Sequence, residues 1–141
     1  ASEAPDKSKL ITQARRINDG KSDWVVEEVK KAIQSHPKKD IKNILCLGLA
    51  YKPNIDDLRE SPAKYIVEEI TSAEIGDVFV VEPYINELPK SLIGHSNLVE
   101  LKQGLALADI LVILVAHSDF DIDLIKSMSE LVIIDSCGLL Q

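Results

Sequence analysis

Four short apolar runs constrain this chain more than anything else in it: NILCLGLA (43–50), DVFVVE (77–82), DILVILVA (109–116) and LVIID (131–135). They are continuous rather than alternating, which is the pattern of strands covered on both faces. Between the first two lies SPAKYIVEEITSAE, where Ser61 can cap a helix, Pro62 suits its first position, and Ala63, Ile66, Val67 and Ile70 form one stripe. A weaker strand around 97–100 and short helices near 102–108 and 120–129 continue the alternation. The expected fold is therefore α/β, a Rossmann-like doubly wound parallel sheet with right-handed crossovers. Five strands wound this way most simply take the order 3-2-1-4-5. Ligands of such sheets bind beyond the strand carboxyl ends, where the chain reverses direction between strands one and four.

The first forty residues have a different texture. Leu10, Ile11, Ala14 and Ile17 recur at helical spacing, with Asn18-Asp19-Gly20 as a stop. A second helix is expected from Ser22 as cap, burying Val25, Val26, Val29, Ala32 and Ile33, until His36-Pro37 ends it. The polar PKKDIKN stretch (37–43) reads as a linker, dividing the chain into 1–39 and 40–141.

Composition narrows the partners. Sixteen basic against twenty-three acidic side chains give a formal charge of -7, which repels a phosphate backbone, so nucleic acid is not expected. No apolar run approaches the roughly 20 residues of a membrane-spanning helix, and the first residues lack a basic-then-apolar leader. No membrane partner and a cytoplasmic location are the expectations. Cys46 and Cys137 show no metal-ligand spacing and are read as structural thiols, with no metal expected.

The loop after the first strand, AYKPNIDDLRE (50–60), is about twice as long as such loops usually are. Gly48 is followed by Leu-Ala-Tyr-Lys, so the glycine-lined amide cradle of a dinucleotide site is missing. Phosphate charge would have to be met by side chains, and Lys52 and Arg59 are suited to it, with Asp56, Asp57 and Glu60 available to hold them. A solvated, self-neutralised surface loop is the other reading of the same composition.

GLAYKPNIDDLRESPA resembles the signature of the C-terminal domain of the UDP-glucose/GDP-mannose dehydrogenase family. QARRINDGKSDWVVEEV is similar to the end of that family's central domain, while VVEPYINELPK and LVAHSDF resemble the branch that oxidises UDP-N-acetylmannosamine. The resemblance implies a UDP-sugar-binding domain of an NAD-dependent 6-dehydrogenase serving bacterial surface polysaccharide. In that reaction the C6 alcohol becomes a carboxylate in two hydride transfers to NAD, through a thiohemiacetal and a thioester on a cysteine. It further implies that Tyr51 and Lys52 contact the UDP-sugar, and that Arg59 reaches an NAD held mainly by an absent N-terminal domain. Residues 1–39 would then be a helical remnant of a central domain through which the complete enzyme forms a homodimer. Neither the N-terminal domain nor the motif GFGGxCxPKD, which carries the family's nucleophile, is found in this sequence. The chain on its own is accordingly expected to be inactive, with no catalytic residue of its own.

Other residues near the strand ends have competing roles. Cys137 follows the last strand but has no neighbouring base, and the resemblance puts a basic residue at its position. Glu82 ends the second strand, where an acid can hold a ribose hydroxyl or cap a turn beside Pro83. His117 ends the fourth strand near the reversal point, and Ser118 with Asp119 suits a helix cap. The alternative function is a free-standing nucleotide-binding or receiver-like signalling module, since topology alone does not separate these classes.

Overall fold

Each central strand buries both faces, and the two faces feed separate cores. The computed structural model describes residues 9–12 and 19–141. Its strands are β1 (Lys9–Thr12), β2 (Asn43–Leu47), β3 (Asp77–Val81), β4 (Asn97–Leu98), β5 (Ile110–Ile113) and β6 (Val132–Asp135). They form one sheet in the order β1-β6-β5-β2-β3-β4, and every named pair is parallel. The helices are α1 (Asp19–Ser35), α2 (Pro62–Ser72), α3 (Leu101–Leu107) and α4 (Ile122–Lys126).

Side chains on a strand alternate between faces. Ile44 and Cys46 of β2, Val78 and Val80 of β3, and Ile110 and Val112 of β5 accordingly join one core under α1 and α2. Leu45 and Leu47, Val81, and Leu111 and Ile113 join the other, under Leu105 of α3 and Ile125 of α4. α2 starts as its sequence dictates: Ser61 Oγ accepts from Lys64 N at 3.2 Å and donates to Leu49 O at 2.7 Å. One serine thus caps a helix and ties it to the end of β2.

The five strands expected from the sequence are β2 to β6, and their order β4-β3-β2-β5-β6 is the expected 3-2-1-4-5. Two expectations near the start need correction. Leu10 and Ile11 lie in β1, not in a helix, because the open edge of β6 supplies a backbone ladder, pairing Leu10 with Ile133 and Ile11 with Ile134. An isolated helix of that length would gain too few hydrogen bonds to offset its nucleation cost. Ala14 and Ile17, read into the same helix, lie outside the described residues. α1 begins at Asp19 rather than at a Ser22 cap, so Ser22 is an interior helical position, and it is buried.

The stripe of α1 is covered within the chain. Val25, Val26, Val29 and Ala32 are buried against the sheet core, and Trp24 and Ile33 pack at its margin. The 37–43 connection is tethered too, because Lys38 Nζ meets Asp109 Oδ2 at 3.0 Å and Lys42 O accepts from Asp77 N.

Candidate functional site

The strands β2 and β5 are neighbours whose chains lead on to helices packed on opposite faces of the sheet, α2 and α4. Where the two strands end, Leu47 O accepts from Leu114 N at 2.9 Å and Val115 N at 3.1 Å, while Gly48 N turns to Val81 O of β3 at 2.9 Å. Gly48 has φ +100, and a Cβ there would lie 2.5 Å from Val115 Cβ. Only glycine lets the chain leave β2 at this angle.

The charged loop that follows is held by buried groups from the two flanking strands. Glu82, immediately after β3, is 3% exposed. Its Oε1 accepts from Leu49 N at 2.8 Å, Ala50 N at 3.1 Å and His117 Nε2 at 2.9 Å, and its Oε2 accepts from Tyr84 N at 3.1 Å. Burial pushes this carboxyl up, but the bonds from His117, Leu49 and Tyr84 outweigh it and hold it below the ordinary carboxylate value. His117 is fully buried, and its Nδ1 accepts from Asn54 N at 2.8 Å. Asn54 Oδ1 in turn accepts from Ser118 N at 2.8 Å. The loop closes on itself where Tyr51 N donates to Asp57 O at 2.7 Å.

From this frame three side chains project. Tyr51 is 53% exposed, Lys52 is exposed, and the side chain of Arg59 is 89% exposed. Among the described residues Lys52 makes no ion pair. Arg59 is engaged: its Nε donates to Asp57 Oδ1 at 3.0 Å and its Nη2 to Asp57 Oδ2 at 2.9 Å. These bonds hold the Asp57 carboxyl down to about 2. A cavity of about 390 Å³ adjoins the loop, lined by Ser22, Asp23, Glu60, Ser61, Pro62 and Tyr65. A larger depression of about 490 Å³ lies at the other end of the sheet, beside 39–42 and 74–77, remote from the reversal point.

A match to the family model described as "UDP-glucose/GDP-mannose dehydrogenase family, UDP binding domain" covers residues 45–141, which includes this loop and all three side chains. The chain belongs to that family. It is 42% identical over 140 residues to the UDP-N-acetyl-D-mannosamine dehydrogenase of Escherichia coli K12, covering 96% of the chain and 33% of that protein. Identity to the enzyme of that name from Campylobacter jejuni is 47% over 120 residues, 82% of the chain and 28% of that protein. The chain thus spans about a third of the length of the curated relatives it matches. Among solved structures, the NDP-N-acetyl-D-galactosaminuronic acid dehydrogenase of Methanosarcina mazei Go1 superposes with TM-score 0.69 at 26% identity, covering 88% of this chain and 26% of that one. The UDP-N-acetyl-mannosamine dehydrogenase Cap5O of S. aureus gives TM-score 0.69 over 88% of this chain and 29% of that one, at 23% identity, a likeness of fold. The relatives are dehydrogenases, and the receiver-like alternative is not favoured.

Within this UDP-binding domain, the pyrophosphate of NAD does not fit the β2 turn. The Leu49 and Ala50 amides that would cradle it already donate to Glu82. Glu82 itself has the turn-holding role, not a ribose role, because its oxygens are buried and bonded to the chain. Ser118 and Asp119 do not cap α4, whose cap is Asp121 Oδ1 accepting from Leu124 N at 3.0 Å. Asp119 instead accepts from Tyr84 Oη at 2.7 Å, joining the loops after β3 and β5. The residues that the sequence reading missed are Asn54 and the pairing of Glu82 with His117. The strand order held the clue, since β2 lies between β3 and β5 and the ends of those strands must flank its loop.

Cys137 lacks the lowered pKa that activates a nucleophilic thiol. Burial, and then the neighbouring Asp135 carboxylate, push its thiol up to about 12. Asp135 is spent closing the last turn, accepting from Gly138 N at 2.9 Å, Leu139 N at 3.0 Å and Leu140 N at 2.9 Å. Burial raises Cys46 to about 12 as well. At pH 8 a maleimide is expected to label neither thiol of the folded chain within the time that labels both in urea. Rapid native labelling of Cys137 contradicts this assignment.

Proposed function

We propose that this domain binds the UDP portion of a UDP-N-acetylhexosamine, favouring UDP-N-acetylmannosamine, and completes the site of an NAD-dependent 6-dehydrogenase. The observation that carries the reading is Lys52, a cation without an ion-pair partner among the described residues, beside the exposed Tyr51 on a loop clamped at the reversal point of the sheet. An ammonium there can meet phosphate oxygens that the occupied amides cannot. Relatives named for UDP-N-acetylmannosamine and for NDP-N-acetylgalactosaminuronic acid match at 42% identity each, which supports a 2-acetamido sugar. Burial raises both thiols to about 12 and the β2 turn offers NAD no cradle, which supports placing nucleophile and cofactor in other parts of a complete enzyme. Arg59 is the residue of this domain that meets the cofactor there, exchanging Asp57 for an anion. The complete enzyme is a homodimer joined through a central domain, of which residues 1–39 are the end, and it works in the cytoplasm. No described helix is long and apolar enough to cross a membrane.

The test is calorimetric titration of the 141-residue chain with UDP and with uridine. UDP is expected to bind and uridine to bind far more weakly. Lys52→Ala is expected to weaken UDP by about 1.5–3 kcal/mol, the worth of a charged hydrogen bond. The loss should shrink as salt rises, because the contact lies at the surface. Equal affinity of wild type and Lys52→Ala removes Lys52 from the site. The chain alone is expected to form no NADH from any UDP-hexosamine, and NADH production by the pure chain overturns the division of labour.

A further inference from the structure

We infer that Glu82 and His117 are positioning residues, a buried pair that sets the conformation of the loop carrying Tyr51 and Lys52 by fixing the tautomer of His117. The inference deepens the UDP reading and rests on it for its ligand.

Its basis is a continuous line of hydrogen bonds. The Asn54 N–H is aimed at His117 Nδ1 at 2.8 Å, so this nitrogen must present a lone pair. The ring proton then sits on Nε2 and is donated to Glu82 Oε1 at 2.9 Å. A carboxylate accepts only, so it selects the Nε2–H tautomer and leaves Nδ1 as the acceptor that Asn54 needs. Asn54 sits at φ +65, in the left-handed region that Asn tolerates better than most residues with side chains, and the bond to His117 holds its N–H in that conformation. The same residue is locked from its side chain, where Oδ1 accepts from Ser118 N at 2.8 Å and Ser118 Oγ at 3.1 Å. Lys52 lies two positions away. The imidazole is wedged between Tyr84 and Phe120, with ring centroids 4.8 and 5.4 Å distant, so it has little freedom to turn.

A ring that merely fills space predicts something different, and two substitutions separate the cases. The Asn side-chain oxygen branches from Cγ, as Nδ1 does, so His117→Asn keeps an acceptor for Asn54 and loses the reach to Glu82. The Gln amide nitrogen lies two bonds from Cγ, as Nε2 does, so His117→Gln keeps the donor to Glu82 and loses the acceptor. Each change removes the ring, and each should lower the urea midpoint by a similar amount.

Three readouts on the whole chain decide. Amide exchange at Asn54 is expected to rise in His117→Gln and to stay near wild type in His117→Asn. UDP affinity is expected to fall roughly 2- to 12-fold in His117→Gln, the worth of one hydrogen bond, and to be retained within about 2-fold in His117→Asn. Imidazole nitrogen NMR of the wild type is expected to show the proton on Nε2. Equal exchange in the two variants, or a proton on Nδ1, overturns the inference. A wild-type chain that fails to bind UDP instead overturns the UDP reading, and the exchange contrast then still decides for or against the positioning pair.

Discussion

Replacing Glu82 by leucine is expected to destabilise the fold by about 3–5 kcal/mol. The substitution strands four donors together: the buried N–H groups of Leu49 and Ala50 and the buried Nε2–H of His117, and the part-buried N–H of Tyr84. Each stranded donor costs about 1–3 kcal/mol before the loop relaxes enough for water to reach it. Glu82→Gln keeps an acceptor oxygen and should lose markedly less. The pair also carries a pH signature whose sign follows from the direction of the shift. Because the carboxyl is held below its ordinary value of 4.5 in the folded state, its contribution is fully present above that value. It is lost as the pH falls through the folded value. The stability gap between wild type and Glu82→Gln should therefore narrow on acidification below about pH 5. Urea denaturation at a series of pH values measures both effects. A Glu82→Leu loss under about 1 kcal/mol shows that water already serves these amides.

That effect could not have been read from the sequence, although much around it could. The runs at 43–50, 77–82, 109–116 and 131–135 are legible because parallel strands buried on both faces admit few polar residues. Their order is the simplest one for five strands wound this way. β1 was illegible because Leu10 and Ile11 fit a helical period with Ala14 and Ile17, and only the nearby edge of β6 decides for a strand. At the site, Lys52 and Arg59 stand out by residue type. What residue type does not show is that Arg59 spends its fork on Asp57 while Lys52 makes no ion pair among the described residues. Nor does it show that Asn54, a plain loop residue in sequence, takes a positive φ and joins His117, sixty-three positions later. Such links arise across neighbouring strands, so they become visible only once the sheet order is known.

The second large effect is expected at Gly48, where alanine should destabilise the chain by about 4 kcal/mol. Two costs combine there. The backbone sits at φ +100, which costs a residue with a side chain about 1–3 kcal/mol. The new methyl would also lie 2.5 Å from Val115 Cβ, 2.8 Å from its Cγ2 and 3.0 Å from its backbone nitrogen. Forcing a tight site apart typically costs a further 1–3 kcal/mol. Gly94 isolates the first cost, because its φ is +84 and a Cβ there would meet nothing within 4 Å. Gly94→Ala should accordingly lose only about 1 kcal/mol. The steric cost is isolated by pairing Gly48→Ala with Val115→Gly, which removes the two nearest clashing atoms. The double variant should be more stable than the two single losses added together, by about 1 kcal/mol or more. Loop and site share this consequence, since Gly48 opens the segment that carries Tyr51 and Lys52 away from β5. UDP affinity should fall in Gly48→Ala and stay near wild type in Gly94→Ala. If the two alanine variants unfold at the same urea concentration, the chain leaves β2 by a looser path than the contact with Val115 implies, and the parting of β2 from β5 is not what places the loop.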